Sequence, residues 1–174
     1  LEKDQELVDR IRARMNFVDP VEVRATPKKG IFEFSAFGGF MSSYSTVMVP
    51  QKGDNAWNFA YEATRPFIYA HELAHIEAND IWRISTVFSV TLIATAIILH
   101  SVGVILPLAL ITAEIVALVA VFYFSQIMEK QADLRAAENC KDEEIAAGIW
   151  FFEMSRLDNL QHLKDIQNES TCSA

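Results

Sequence analysis

The stretch Tyr69-Ala70-His71-Glu72-Leu73-Ala74-His75-Ile76-Glu77 decides how the rest of the chain is read. It holds good helix formers and no Gly, and Pro66 lies a short way upstream, where a first turn could begin. On a helix, residues four apart lie one above the other, so His71 and His75 aim two imidazoles at one point. That spacing suits zinc ligands, and Glu72 on the adjacent face reaches a water at the metal without binding the metal itself. The competing reading is an exposed polar helix with two unrelated histidines. What surrounds the motif decides between them.

Downstream, no Asp, Glu, Lys or Arg occurs between Arg83 and Glu114, nor between Glu114 and Glu129. Ile84 to Leu99 and Val104 to Phe124 are runs of Ile, Val, Leu, Ala and Phe, close to the length a helix needs to cross hydrocarbon. His100-Ser101-Val102-Gly103 reads as a tight turn between them, with Pro107 near the start of the second helix. A chain of 174 residues could not bury two such helices on all sides, so residues 84–125 are expected to form a transmembrane hairpin. A soluble oligomer hiding the hairpin is the alternative. Ile81 and Trp82 extend the short first run, with Trp82 and Tyr123 suited to the interfaces. Both ends of a hairpin share one side of the bilayer. Arg83, Lys130 and Arg135 flank the ends while the turn carries neither Lys nor Arg, so the motif is expected on the cytoplasmic face of an inner or cell membrane. Glu114, inside the second span, needs a partner or a proton; hairpin packing or homo-oligomerisation accounts for it as well as chemistry does.

Beyond the hairpin the chain reads Glu129-Lys130-Gln131-Ala132-Asp133, strongly helical in propensity. Glu129 and Asp133 share a face. A hairpin returns the chain to the point it left, so Glu129 can approach His71 and His75 and complete a His2Glu zinc site. Asp133, one turn on, suits a carboxylate that accepts a ring N–H from a ligand histidine. By itself the pair is ordinary acidic helix surface.

Upstream, residues 1–16 place Leu7, Val8, Ile11 and Met15 on one helical face, giving an amphipathic helix that ends before Asp19-Pro20. Val21 to Thr26, Ile31 to Phe34 and Tyr44 to Val49 alternate apolar and polar residues, separated by Pro27-Lys28-Lys29-Gly30 and Gly38-Gly39. A small antiparallel sheet is expected over residues 21–50, then the motif helix over 58–83, the hairpin over 84–125, and the third-ligand and C-terminal helices over 126–174. Together these make one domain of α+β class, mainly helical. The net charge of -8, with no Lys/Arg cluster, excludes nucleic acid as a partner. Cys140 and Cys172 form no Cys-x-x-Cys pair and are expected as free thiols in a reducing compartment, with a single disulfide between them as the alternative. The chain opens on Leu1, so an upstream segment is expected to have been removed, and the charged Leu1–Arg14 does not read as a secretory signal.

Across roughly residues 30 to 140 the sequence resembles the HtpX-type family of membrane zinc metallopeptidases, which also contains the CAAX-prenyl endopeptidases. The matching residues are His71, Glu72 and His75, then Glu129 and Asp133. The resemblance implies a gluzincin-like core, with a single zinc ion on His71, His75 and Glu129, Glu72 as general base, and Asp133 supporting the site. Ser35-Ala36-Phe37, followed by Tyr44, Ser45, Thr46 and Val47, resembles the family's Asn-Ala-Phe segment and the edge strand that pairs with a peptide substrate. Family members often carry a later His-Pro and an Arg that stabilises the transition state. No His-Pro occurs here, so Arg156 and His162 are candidates by residue type alone, and solvated positions on an amphipathic helix are their plainer reading. Tyr44, Tyr61 and Tyr69 are further candidate donors to an oxyanion.

The expected activity is zinc-dependent hydrolysis of protein or peptide substrates at a lipid bilayer. A site-two-type protease fits less well: its motif lies inside a span, and its third ligand comes from an Asp-Gly motif that this chain lacks. The alternative of another class is a non-catalytic membrane protein, with a structural zinc whose fourth ligand comes from Glu77 or Asp80, or an oligomerising hairpin.

Overall fold

The computed structural model describes residues 2–26, 35–37, 45–50 and 57–154. The elements run α1 (Glu2–Arg14), β1 (Val21–Thr26), β2 (Ser35–Phe37), β3 (Ser45–Pro50), α2 (Trp57–Glu77), α3 (Asp80–Ser101) and α4 (Leu106–Asn139). A last helix, α5, covers 142–154. The mainly helical class with two long apolar helices agrees with the sequence reading.

Among the described residues the core is built where α1, the sheet, α2 and the lower part of α4 meet. Val8 and Ile11 of α1 with the adjoining Met15, Val21 and Val23 of β1, Val47 of β3, Tyr69, Leu73 and Ile76 of α2, and Ala132 and Ala136 of α4 are all buried together. The spacing of Val8, Ile11 and Met15 is the helical stripe expected for α1. Gln5 joins α1 to the sheet: its Nε2 donates to the Val21 carbonyl at 2.8 Å and its Oε1 accepts from the Val23 amide at 2.9 Å. These bonds occupy backbone groups on the outer edge of β1, which would otherwise lack ladder partners.

The sheet corrects two expectations. Its order is β1-β3-β2, with β1 parallel to β3 and β2 antiparallel to it, so it is mixed rather than antiparallel. β3 therefore sits in the centre: Val47 pairs with Val23 on one side and Ala36 on the other. Of the expected edge strand, Thr46 and Val47 are flanked on both sides, Ser45 is paired with Val21 of β1, and Val47 is fully buried. Ladder positions already taken by neighbours cannot pair with a substrate. Tyr44 lies outside the described residues.

The single helix expected over 58–83 is also corrected. α2 ends at Glu77, Asn79 adopts the left-handed conformation (φ 55°, ψ 46°), and α3 starts at Asp80. Asn tolerates this region better than most residues, so the chain turns without a glycine. Pro66 lies inside α2 rather than at its first turn.

α3 has 22 residues and α4 has 34, lengths of about 33 and 51 Å at the helical rise. Each is long and apolar enough to cross a membrane. Val102 closes α3 by donating to the Ile98 carbonyl, and Gly103 takes a φ of 90°, which suits a residue without a Cβ. In the hairpin, Ala109, Ala113 and Ala117 recur every fourth residue and are fully buried, letting the helix backbones approach closely. The large apolar residues face outward: Ile97 and Val119 are 63% and 64% exposed. At its lower end α4 leaves this pairing and lays Met128, Ala132 and Ala136 into buried positions.

Candidate metal centre

α2 presents two faces near its C-terminus. Ala70, Leu73, Ala74 and Ile76 point into the core, and the intervening positions carry His71, Glu72 and His75 toward α4. The Nε2 atoms of His71 and His75 are 3.0 Å apart, and their ring planes cross at 79°. From α4, Glu129 places Oε2 3.3 Å from His71 Nε2 and Oε1 3.6 Å from His75 Nε2. One donor atom from each of the three residues lies within 4.8 Å of the others. Ligand bonds of about 2.0–2.1 Å in a tetrahedron separate neighbouring donors by about 3.3 Å, the range spanned by these contacts. Two imidazole nitrogens and a carboxylate form a donor set that fits zinc.

Each histidine is anchored through its other nitrogen. His71 Nδ1 lies 2.9 Å from Asp133 Oδ1, and His75 Nδ1 lies 2.6 Å from Asp80 Oδ2. A carboxylate there accepts the Nδ1 proton and leaves the Nε2 lone pair for a cation. Burial by itself lowers the pKa of His71, but the hydrogen bonds its ring donates to Asp133 and Glu129, with the charge of Glu72, raise it to about 9. His75 is raised as well: Glu129 and Asp80 overcome burial and the repulsion of His71. The two histidines hold the Glu129 carboxyl well below the usual range. The cluster stabilises positive charge at the point where its three donors converge.

Glu72 lines a cleft of 370 Å³ together with the two histidines, Glu129, Ile81 and Ser125. The cleft thus opens at the base of the α3–α4 hairpin. Glu129 is 60% exposed at its side chain, against 11% for His71, so the cluster is closed from the core and open toward the cleft. On another side Phe152 of α5 lies 6.5 Å from the His71 ring. Gly148 permits this approach, since a Cβ there would stand 2.6 Å from the Phe67 ring.

The structure thus brings His71, Glu72, His75, Glu129 and Asp133 together. Tyr69 is fully buried and donates its hydroxyl to Asp4 at 2.9 Å, which removes it as an oxyanion donor. Both suggested fourth ligands are engaged elsewhere. Glu77 pairs with both Arg135 nitrogens Nε and Nη2 at 2.9 Å, and Asp80 is held by His75 and Arg83. Arg156 and His162 lie outside the described residues, as does the side chain of Tyr61. Asp80 is the site residue whose role the sequence reading missed. It stands five residues after His75, and on a continuous helix that offset points to a different face.

The family model described as Peptidase family M48 matches residues 40–152, well over half of the chain. No curated protein and no solved structure matches the chain significantly.

Proposed function

The chain belongs to peptidase family M48, and from that premise we propose that it is a membrane-embedded zinc metalloendopeptidase whose metal is held by His71, His75 and Glu129. The observation that carries the reading is the convergence of these three donors from α2 and α4 on one point, next to Glu72. Bound there, zinc supplies Lewis acidity toward a scissile carbonyl and an attacking water. Asp133 and Asp80 hold the imidazoles in the tautomer that ligates through Nε2. Glu72, in the same cleft, accepts the proton of the attacking water and delivers it to the leaving amine. A structural zinc would call for a fourth protein ligand. Among the described residues the donor cluster has three members, and the two acidic neighbours are otherwise bonded.

The membrane assignment rests on the outward apolar surface of α3 and α4 and on the level of their aromatic residues. Trp82 and Tyr123 are both exposed, and Arg83 lies 5.5 Å from the ring of Phe124, so the two roots of the hairpin stand at one height. The cleft opens at that height, and the substrate is accordingly a peptide segment presented at the bilayer surface. In the described sheet β1 and β2 are the outer strands, and Gln5 already bonds the free edge of β1, so backbone pairing with a peptide would fall to β2. The catalytic side is read as cytoplasmic from the basic flank at Lys130, with Arg83 and Arg135.

The test is casein digestion by the full chain in lipid nanodiscs, with and without a chelator, alongside Glu72→Gln. Chelator-sensitive cleavage is expected, and Glu72→Gln should keep its zinc while losing about 10²–10⁴-fold in rate. Full activity in Glu72→Gln would remove the mechanism; zinc without any cleavage would favour a structural site.

A further inference from the structure

The two histidines obtain their anchoring carboxylates in different ways. His71 is served directly by Asp133 of α4. His75 is served by Asp80, at the first turn of α3, and Asp80 has a second partner of its own. Its Oδ1 accepts from Arg83 Nη1 at 3.0 Å, while the residue is only 6% exposed. Arg83 continues across to α4: Nη2 donates to Gln131 Oε1 at 3.3 Å, and the guanidinium lies over the Phe124 ring. A line of contacts therefore runs from His75 through Asp80 and Arg83 to the roots of both hairpin helices.

The left-handed Asn79 makes this line feasible. Had α2 simply continued, Asp80 would lie about 140° around the axis from His75, at 3.6 residues per turn. The break at Asn79 instead brings the Asp80 carboxylate onto the His75 ring. A buried carboxylate is costly unless its oxygens are bonded, so Asp80 keeps this place only while Arg83 occupies the other oxygen.

We propose that Asp80 and Arg83 are positioning residues that make the metal affinity of His75 depend on how the roots of α3 and α4 pack together. The inference rests on the zinc reading above. When the roots are seated, Arg83 is clamped by Gln131 and Phe124, Asp80 is fixed, and His75 keeps its Nε2 lone pair on the metal point. When the roots separate, Arg83 loses its clamp, Asp80 loses its second bond, and the His75 ring is free to change tautomer and orientation. The hairpin thereby acts on the site as well as holding it at the bilayer.

The experiment measures zinc affinity by competition with a chromophoric chelator, using the full chain in lipid nanodiscs, together with the visible spectrum of the cobalt-loaded protein. Four forms are compared with wild type: Asp80→Asn, Arg83→Gln, the pair Gln131→Ala with Phe124→Leu, and His71→Ala. Asp80→Asn should weaken zinc about 10–100-fold and alter the cobalt bands, at unchanged helical content. Arg83→Gln should weaken it about tenfold, and the Gln131/Phe124 pair by several-fold, but neither should cost anything further in the Asp80→Asn background. The Arg83 side chain is 35% exposed, so this variant folds even where a change at buried Asp80 does not. Wild-type affinity in Asp80→Asn and Arg83→Gln, with affinity lost in His71→Ala, overturns the relay and leaves the zinc site standing. Losses that simply multiply in the combined variants also overturn it. Wild-type affinity in His71→Ala overturns the zinc reading and the relay with it.

Discussion

The lower half of the molecule and the α3–α4 hairpin are built from the same residue types placed in opposite ways. Around α2 the large apolar side chains point inward: Tyr69, Leu73, Ile11 and Val47 are fully buried. In the hairpin the alanines point inward and the large residues outward, with Ala113 buried and its neighbours Ile111 and Ile115 each 58% exposed. Composition alone does not distinguish these regions; the direction of the large side chains does. The first arrangement excludes water by burying bulk, and the second turns bulk outward, as suits the apolar solvent proposed for it. The candidate metal centre lies where one arrangement gives way to the other. α2 supplies two donors from the first region, and α4, which passes through both, supplies the third.

This contrast is open to direct attack. The largest difference is expected between Leu73→Ala and Ile97→Ala. Leu73→Ala opens a cavity beneath the histidines and should cost about 2–5 kcal/mol in unfolding. Ile97→Ala removes an outward side chain and should stay within about 0.5 kcal/mol. Equal costs in denaturant titrations of the detergent-solubilised chain would erase the distinction between the two regions. A second break is Leu118→Lys, on the outward face at 55% exposure. If lipid covers that face, insertion should become less favourable by about 3 kcal/mol, read as a loss of membrane-integrated chain after alkaline extraction. Unchanged integration would mean that the face meets water or protein instead.

A smaller effect follows from the histidines. The pKa of His71 in the metal-free cluster is raised from 6.5 to about 9, so its proton must leave before zinc can bind. Zinc affinity should therefore rise at least about tenfold per pH unit up to about pH 9, more steeply where His75, also raised, still holds its proton, and then level off. Stability runs the other way. With its folded pKa above the unfolded value, His71 contributes stability to the metal-free protein that is complete below about pH 6.5 and lost as the pH passes about 9. Chelator competition across this range measures the first effect, and thermal melts without metal measure the second. A flat affinity profile would contradict the charge assigned to the cluster.

Much of this was legible in the sequence because it depends on local spacing. The i, i+4 pairs His71/His75 and Glu129/Asp133 face one way on any helix. A charge-free run followed by a turn and a second run implies a chain that comes back. What escaped depends on long-range pairing or on a single backbone angle. Strand alternation does not say which strand lies in the middle, so β3 read as an edge although β1 and β2 cover it. Nothing in Ala78-Asn79-Asp80 demanded a helix break, and without that break Asp80 could not be placed on His75. Arg135 read as a basic flank of the membrane, but its guanidinium is spent within the fold. It binds Glu77 and the Met15 carbonyl, tying α4 to α2 and to the end of α1. Arg83 is likewise bonded to Asp80 and Gln131. Both arginines thus serve the fold while keeping the charge that the orientation reading counts.

The central claim is that the hairpin returns a ligand from α4 to the two histidines of α2. Zinc affinity of Glu129→Ala in lipid nanodiscs, measured beside wild type and Glu72→Gln, tests it most directly. One zinc per chain is expected in wild type and in Glu72→Gln at similar affinity, with binding weakened by at least about 10²-fold in Glu129→Ala. Equal affinity in all three would mean that α4 contributes no ligand, and the site as described would not exist.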